Sequence, residues 1–174
     1  MNTTLRPLRR AAIACCAVLA PAAFAHTTLE RPQAPAGSYY KAVLQVGHGC
    51  KGSPTVALRV RIPEGVTSAK PQPKPGWKLA VKRTRLPKPV DAGHGRTIDE
   101  VVSEVAWTGG LLADSEFDEF KIMMKLPDRP GTTLYLPVVQ ECKEGVHRWT
   151  EIPENGAAAE LKEPAPALQL TPKP

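Results

Sequence analysis

The sequence predicts an all-β protein, an antiparallel β-sandwich of about seven strands, and three observations predict it. From Ser38 onward apolar residues recur with period two in one short run after another, the spacing that turns one face of a strand toward a core. Nineteen Pro in 174 residues interrupt nearly every window long enough for a helix. Turn signals separate the runs, as in folds built from many short strands.

The first strand carries Tyr40, Ala42, Leu44 and Val46 on one face, with Tyr39, Lys41 and Gln45 opposite. Val56, Leu58, Val60 and Ile62 repeat the pattern against Ala57, Arg59 and Arg61. Trp77, Leu79 and Val81 alternate with Lys78, Ala80 and Lys82, and Val101, Val105 and Trp107 follow. Phe120, Ile122, Met124 and Leu126 alternate with Lys121 and Lys125. A strand near Thr132–Gln140 and a last one near Val146–Ile152 complete an immunoglobulin-like set. Between them, Lys70–Gly76 and Leu86–Val90 read as Pro-rich crossovers, and Asp91–Gly95 and Gly109-Gly110 as loops. Residues 154–174 hold Ala-Pro repeats and read as a flexible tail, so the folded domain is expected over 26–153.

Residues 1–25 read as a secretory signal. Arg6, Arg9 and Arg10 form a basic start, Ala11 to Ala20 an apolar stretch, and Ala23-Phe24-Ala25 a small-x-small cleavage site. The apolar stretch is far short of the roughly 20 residues that span a bilayer. No later stretch spans either, so a periplasmic or secreted location is expected, with no membrane span after cleavage. Three of the 23 bases and none of the 17 acids precede residue 26, which lowers the formal charge from +6 to +3. That balance excludes nucleic-acid binding by bulk charge.

Cleavage after Ala25 makes His26 the first residue. Its free α-amino group and its Nδ1 can close a six-membered chelate ring on one metal ion. The amine has a pKa of about 7.7–8.0, so a metal displaces its proton readily at neutral pH. Nitrogen donors of this kind suit Cu(II) in a tetragonal arrangement. Of the four cysteines, Cys15 and Cys16 leave with the leader. Cys50 and Cys142 remain, and an oxidising compartment favours a disulfide between them over a thiolate copper site.

Several motifs, in this order, resemble the YcnI-like copper-binding domain family. They are Ala25-His26-Thr27-Thr28-Leu29, Ala36-Gly37-Ser38-Tyr39, Ile62-Pro63-Glu64-Gly65-Val66 and Lys74-Pro75-Gly76-Trp77. Asp118-Glu119-Phe120 and the run from His147 through Trp149 to Pro153 follow. The resemblance implies a secreted β-sandwich that binds Cu(II) through an N-terminal His, a carboxylate at the end of a strand, and a nearby Trp. Those positions correspond to His26 and Trp149, but the carboxylate falls on Gly49 within Val46-Gly47-His48-Gly49. His48 is then the expected replacement, giving two imidazoles and the terminal amine.

Among rival ligands, Glu30 lies four residues from His26, about 13 Å along an extended strand. His147 shares a strand face with Trp149 and is a weaker candidate, and His94 reads as an exposed loop residue. Trp77 and Trp107 read as core, and Met123 and Met124 face opposite ways, so they form no Met-rich Cu(I) patch. The expected function is Cu(II) binding in delivery or homeostasis, without catalysis. The partners are the copper ion and another periplasmic copper chaperone or a membrane copper transporter. A copper-dependent oxidative enzyme and a metal-free interaction domain are the alternatives.

Overall fold

The computed structural model describes residues 26–93, 95–154 and 161–174. The expected leader, residues 1–25, and His94 lie outside them. The described chain is all β. In order the strands are β1 (Thr28–Leu29), β2 (Gln33–Pro35), β3 (Tyr39–Val46), β4 (Thr55–Arg61), β5 (Ser68–Pro71) and β6 (Lys78–Asp91). They continue as β7 (Thr97–Leu112), β8 (Asp118–Lys125), β9 (Thr133–Tyr135), β10 (Val138–Cys142), β11 (Val146–Trp149) and β12 (Ala167–Thr171). One sheet runs β1-β3-β8-β5 and a second β11-β10-β4-β7-β6, with a small third sheet, β2-β12-β9.

The period-two faces meet in one core. Tyr40, Ala42, Leu44 and Val46 from β3 pack with Phe120, Ile122 and Met124 from β8, and with Leu58, Val60, Val105 and Trp107 from the second sheet. Met123, on the other face of β8, is exposed as its neighbour's burial requires. Trp107 and Trp77 both set their rings edge-on to Phe120, at 5.3 and 5.1 Å. The alternation of β6 holds for Trp77 and Leu79, which pack against the core, but Val81 is exposed. Beyond Leu79 this edge strand has both faces mostly in solvent.

Four expectations need correction. The stretch Leu86–Val90 is part of β6, where the register against β7 shifts between Arg85 and Val90. An edge strand tolerates Pro87 and Pro89 because it need not donate on its outer side. Gly109-Gly110 lies inside β7, where a Cβ on Gly110 would stand 2.1 Å from the Trp77 ring. Glycine at that position is what lets the indole lie on the strand. The single strand expected over Thr132–Gln140 is two, since the chain passes from the third sheet to the second through Leu136-Pro137.

The largest correction concerns the C-terminus. Residues 154–174 were expected as a flexible tail, yet Ala167–Thr171 is β12, parallel to β2 and antiparallel to β9. Leu168 and Leu170 are fully buried and join the core. The Ala-Pro repeats masked a short alternating run, Ala167-Leu168-Gln169-Leu170-Thr171. Burying two Leu side chains contributes roughly 3–6 kcal/mol toward ordering this five-residue strand, and the ladders to β2 and β9 add to it.

Candidate metal centre

Three distant segments converge at one end of the sandwich. In the β1–β3 ladder Thr28 pairs with Gln45, so extending the register by two residues sets His26 level with Gly47, beside His48. The His48 loop is fixed from three sides. Its carbonyl accepts from Gln140 Nε2 at 2.7 Å, and the Gly49 amide donates to Asp114 Oδ1 at 2.9 Å. Cys50 is bonded to Cys142, as expected, with Cα atoms 5.9 Å apart. On the second sheet, β11 pairs with β10 so that His147 faces Gln140 and Trp149 faces Val138.

Trp149 is the hub of the arrangement. Its ring is buried and lies 5.4 Å from that of His26, 6.2 Å from His48 and 4.8 Å from His147, the last nearly parallel. The rings of His48 and His147 are 5.5 Å apart and edge-on. All four residues singled out from the sequence are therefore neighbours, and His147, the weaker candidate, belongs to the cluster.

The cluster rests on two residues that sequence reasoning missed. Gln140 is fully buried, and its amide makes three hydrogen bonds: Oε1 accepts from Trp149 Nε1 at 3.0 Å, while Nε2 donates to the His48 carbonyl and to Thr55 Oγ1. A buried amide so placed ties the Trp to the His48 loop, and its loss would strand the indole N–H. The one available signal was a Gln at an inward position of Val138-Val139-Gln140-Glu141-Cys142. Glu163 is the other. Its Oε1 accepts from His147 Nδ1 at 2.7 Å and its Oε2 from the Arg148 amide at 2.9 Å. Burial pushes this carboxyl up, but the His147 and Arg148 hydrogen bonds outweigh it and hold the pKa below the usual carboxylate value. Reading 154–174 as a tail hid Glu163 altogether.

The missing carboxylate at Gly49 has a steric cause. A Cβ there would stand 1.9 Å from the Ser53 carbonyl oxygen, inside the hydrogen-bonded turn that links Cys50 and Ser53. No side chain fits that position without opening the turn.

Chemically, the site offers imidazoles held at Nδ1. His48 Nδ1 contacts the Gly49 carbonyl at 2.5 Å, and His147 Nδ1 contacts a carboxylate; neither oxygen can donate. In each contact Nδ1 is therefore the donor. Two imidazoles on one ion at about 2.0 Å place their centroids roughly 4.5 Å (cis) to 6.3 Å (trans) apart, and the observed 5.5 Å falls within that range. Among the described residues no three His, Cys, Asp or Glu side chains already stand in metal-holding geometry. Imidazole nitrogens are donors of the kind Cu(II) takes, and the spacing of the His48 and His147 rings would admit one ion between them. Among the described residues no helix is long and apolar enough to cross a membrane, and the disulfide is compatible with a secreted protein.

Comparison with known proteins agrees with the fold. A crystal structure of an uncharacterized protein from Nocardia farcinica, described as having an immunoglobulin-like fold, superposes with a TM-score of 0.60 at 27% identity. The match covers 84% of this chain and 98% of that one. No curated protein matches significantly. A family model described as a domain of unknown function, DUF1775, matches residues 26–170, beginning at His26 and including nearly all of β12. The chain therefore belongs to the DUF1775 family, to which the YcnI-like resemblance corresponds, and carries its domain on an immunoglobulin-like sandwich.

Proposed function

We propose that the processed protein binds Cu(II) in the periplasm or outside the cell, through the amine and imidazole of His26 together with His48, and serves copper delivery or homeostasis. The observation that carries this reading is the convergence of His26, His48 and His147 from three segments around Trp149. The family match starting at His26 supports the cleavage position. A buried Trp beside the imidazoles supports a site with restricted solvent access and coordination number. Holding the ion is the function proposed, with a copper chaperone or membrane transporter as the exchange partner.

Electron paramagnetic resonance on protein that begins at His26 tests the reading. A one-to-one Cu(II) signal with nitrogen hyperfine coupling is expected, and affinity should fall at acid pH as the donors gain protons. One extra residue before His26 should weaken binding and change the nitrogen pattern, and an unchanged spectrum would overturn the terminal-amine site. Oxidation with reductant and peroxide above the level of free copper would overturn the carrier role.

A further inference from the structure

We propose that His147 is a ligand of this centre through Nε2, and that Glu163, brought in by the C-terminal segment, is the residue that positions it. The inference rests on the Cu(II) reading above and deepens it. The family resemblance puts a carboxylate inside the coordination sphere, where Gly49 now stands and no side chain fits. A carboxylate is still present at the site, but it sits behind an imidazole.

The geometry separates this role from a chance ion pair. Both oxygens of Glu163 are engaged, one by His147 and one by the Arg148 amide, so the carboxylate is oriented rather than tethered at one point. Its backbone is held as well. The Glu163 amide donates to Glu151 Oε2, the Glu151 amide donates to the Glu163 carbonyl, and the Ala165 amide donates to the Glu151 carbonyl. Two residues beyond Ala165 the chain enters β12, anchored by Leu168 and Leu170. The C-terminus is thus a strap that fixes one carboxylate against one histidine. Trp149 stacks on the face of the same ring and fixes its plane. A carboxylate on Nδ1–H raises the basicity of Nε2 and fixes its direction, the usual support of a metal-bound imidazole.

The test uses processed protein starting at His26, with Cu(II) as the probe, in wild type, Glu163→Ala, Glu163→Gln, His147→Ala and the double variant His147→Ala/Glu163→Ala. Affinity by chelator competition and nitrogen couplings by electron paramagnetic resonance are read together. In the metal-free protein, nitrogen NMR reads the His147 tautomer. Glu163→Ala should lower Cu(II) affinity by about 10–100-fold, drop one nitrogen coupling and release the Nδ1–H tautomer. Glu163→Gln, whose amide oxygen can still accept from Nδ1–H, should restore most of each. The double variant should bind no more weakly than His147→Ala. Full nitrogen count and affinity in His147→Ala overturns the proposal, as does an equal loss on removing Glu163 when His147 is already absent. If wild type retains the Nδ1–H tautomer yet binds no Cu(II), the copper reading falls with the ligand role, whereas wild-type binding with an unaffected Glu163→Ala sinks this inference alone.

Discussion

The indole of Trp149 is stacked on the imidazole of His147, with centroids 4.8 Å apart and planes 24° from parallel. Cu(II) bound among the histidines would therefore sit close to one Trp, while Trp77 and Trp107 pack on Phe120. Stoichiometric Cu(II) should quench the Trp149 component of the emission and leave Trp149→Phe almost unchanged. Equal quenching of both proteins would place the ion elsewhere. Because Trp149→Phe deprives Gln140 Oε1 of its donor, it should also cost about 1–3 kcal/mol in urea unfolding.

The Cys50–Cys142 bond spans 92 residues and ties the His48 loop to the end of β10. Replacing both by Ser should lower stability by about 4–5 kcal/mol on the chain-entropy model. Copper affinity should fall as well, through the freed loop. A melting temperature that does not move in the double-Ser protein would contradict this.

Truncation before β12 separates a tail from a strand. Leu170→Ala should cost about 2–5 kcal/mol, and removal of residues 161–174 more, because both leucines and the Glu163 strap are lost together. Urea denaturation checks it, and a tail would give no change.

Restoring the family's carboxylate by Gly49→Glu should not restore a ligand. The new Cβ would meet the Ser53 carbonyl at 1.9 Å, so the turn must open and the variant should be destabilised and bind Cu(II) more weakly. Tighter binding in a stable Gly49→Glu protein would show that the loop accommodates a side chain.

Burial is the main cause that raises the Tyr40 pKa from 10.0 to about 12; the Arg31 charge opposes it and Glu30 adds to it. The folded state favours the protonated phenol, which donates to the Arg31 carbonyl at 2.6 Å. A raised pKa contributes stability that is complete below the unfolded value near 10.0 and lost as pH rises through about 12. Wild type should therefore lose stability across that window more steeply than Tyr40→Phe, followed by the phenolate absorbance and by urea midpoints.

Much of the sandwich was legible because β8 alternates and β3 largely does, so a residue's face follows from its parity, whereas β4 buries Thr55 and Ala57 and leaves Val56 half-buried. Trp149 and His147 were legible as neighbours for the same reason, being two apart on one strand. Leu168 and Leu170 were not, since a two-Leu run among Ala-Pro repeats gains a strand only if a gap between β2 and β9 awaits it. Glu163 was invisible and Gln140 showed only as a polar residue at an inward position, because a lone polar residue acquires meaning only from the partner it reaches.

By itself, the sequence determined the β class and the Cys50–Cys142 pair, which depend on local pattern and residue chemistry. Tertiary structure decided which histidines share a site with His26, why Gly49 bears no carboxylate, and that Glu163 stands behind His147. These are relations between segments up to 137 positions apart, from His26 to Glu163. Only sheet packing brings such segments together, and no spacing along the chain encodes the distance between them.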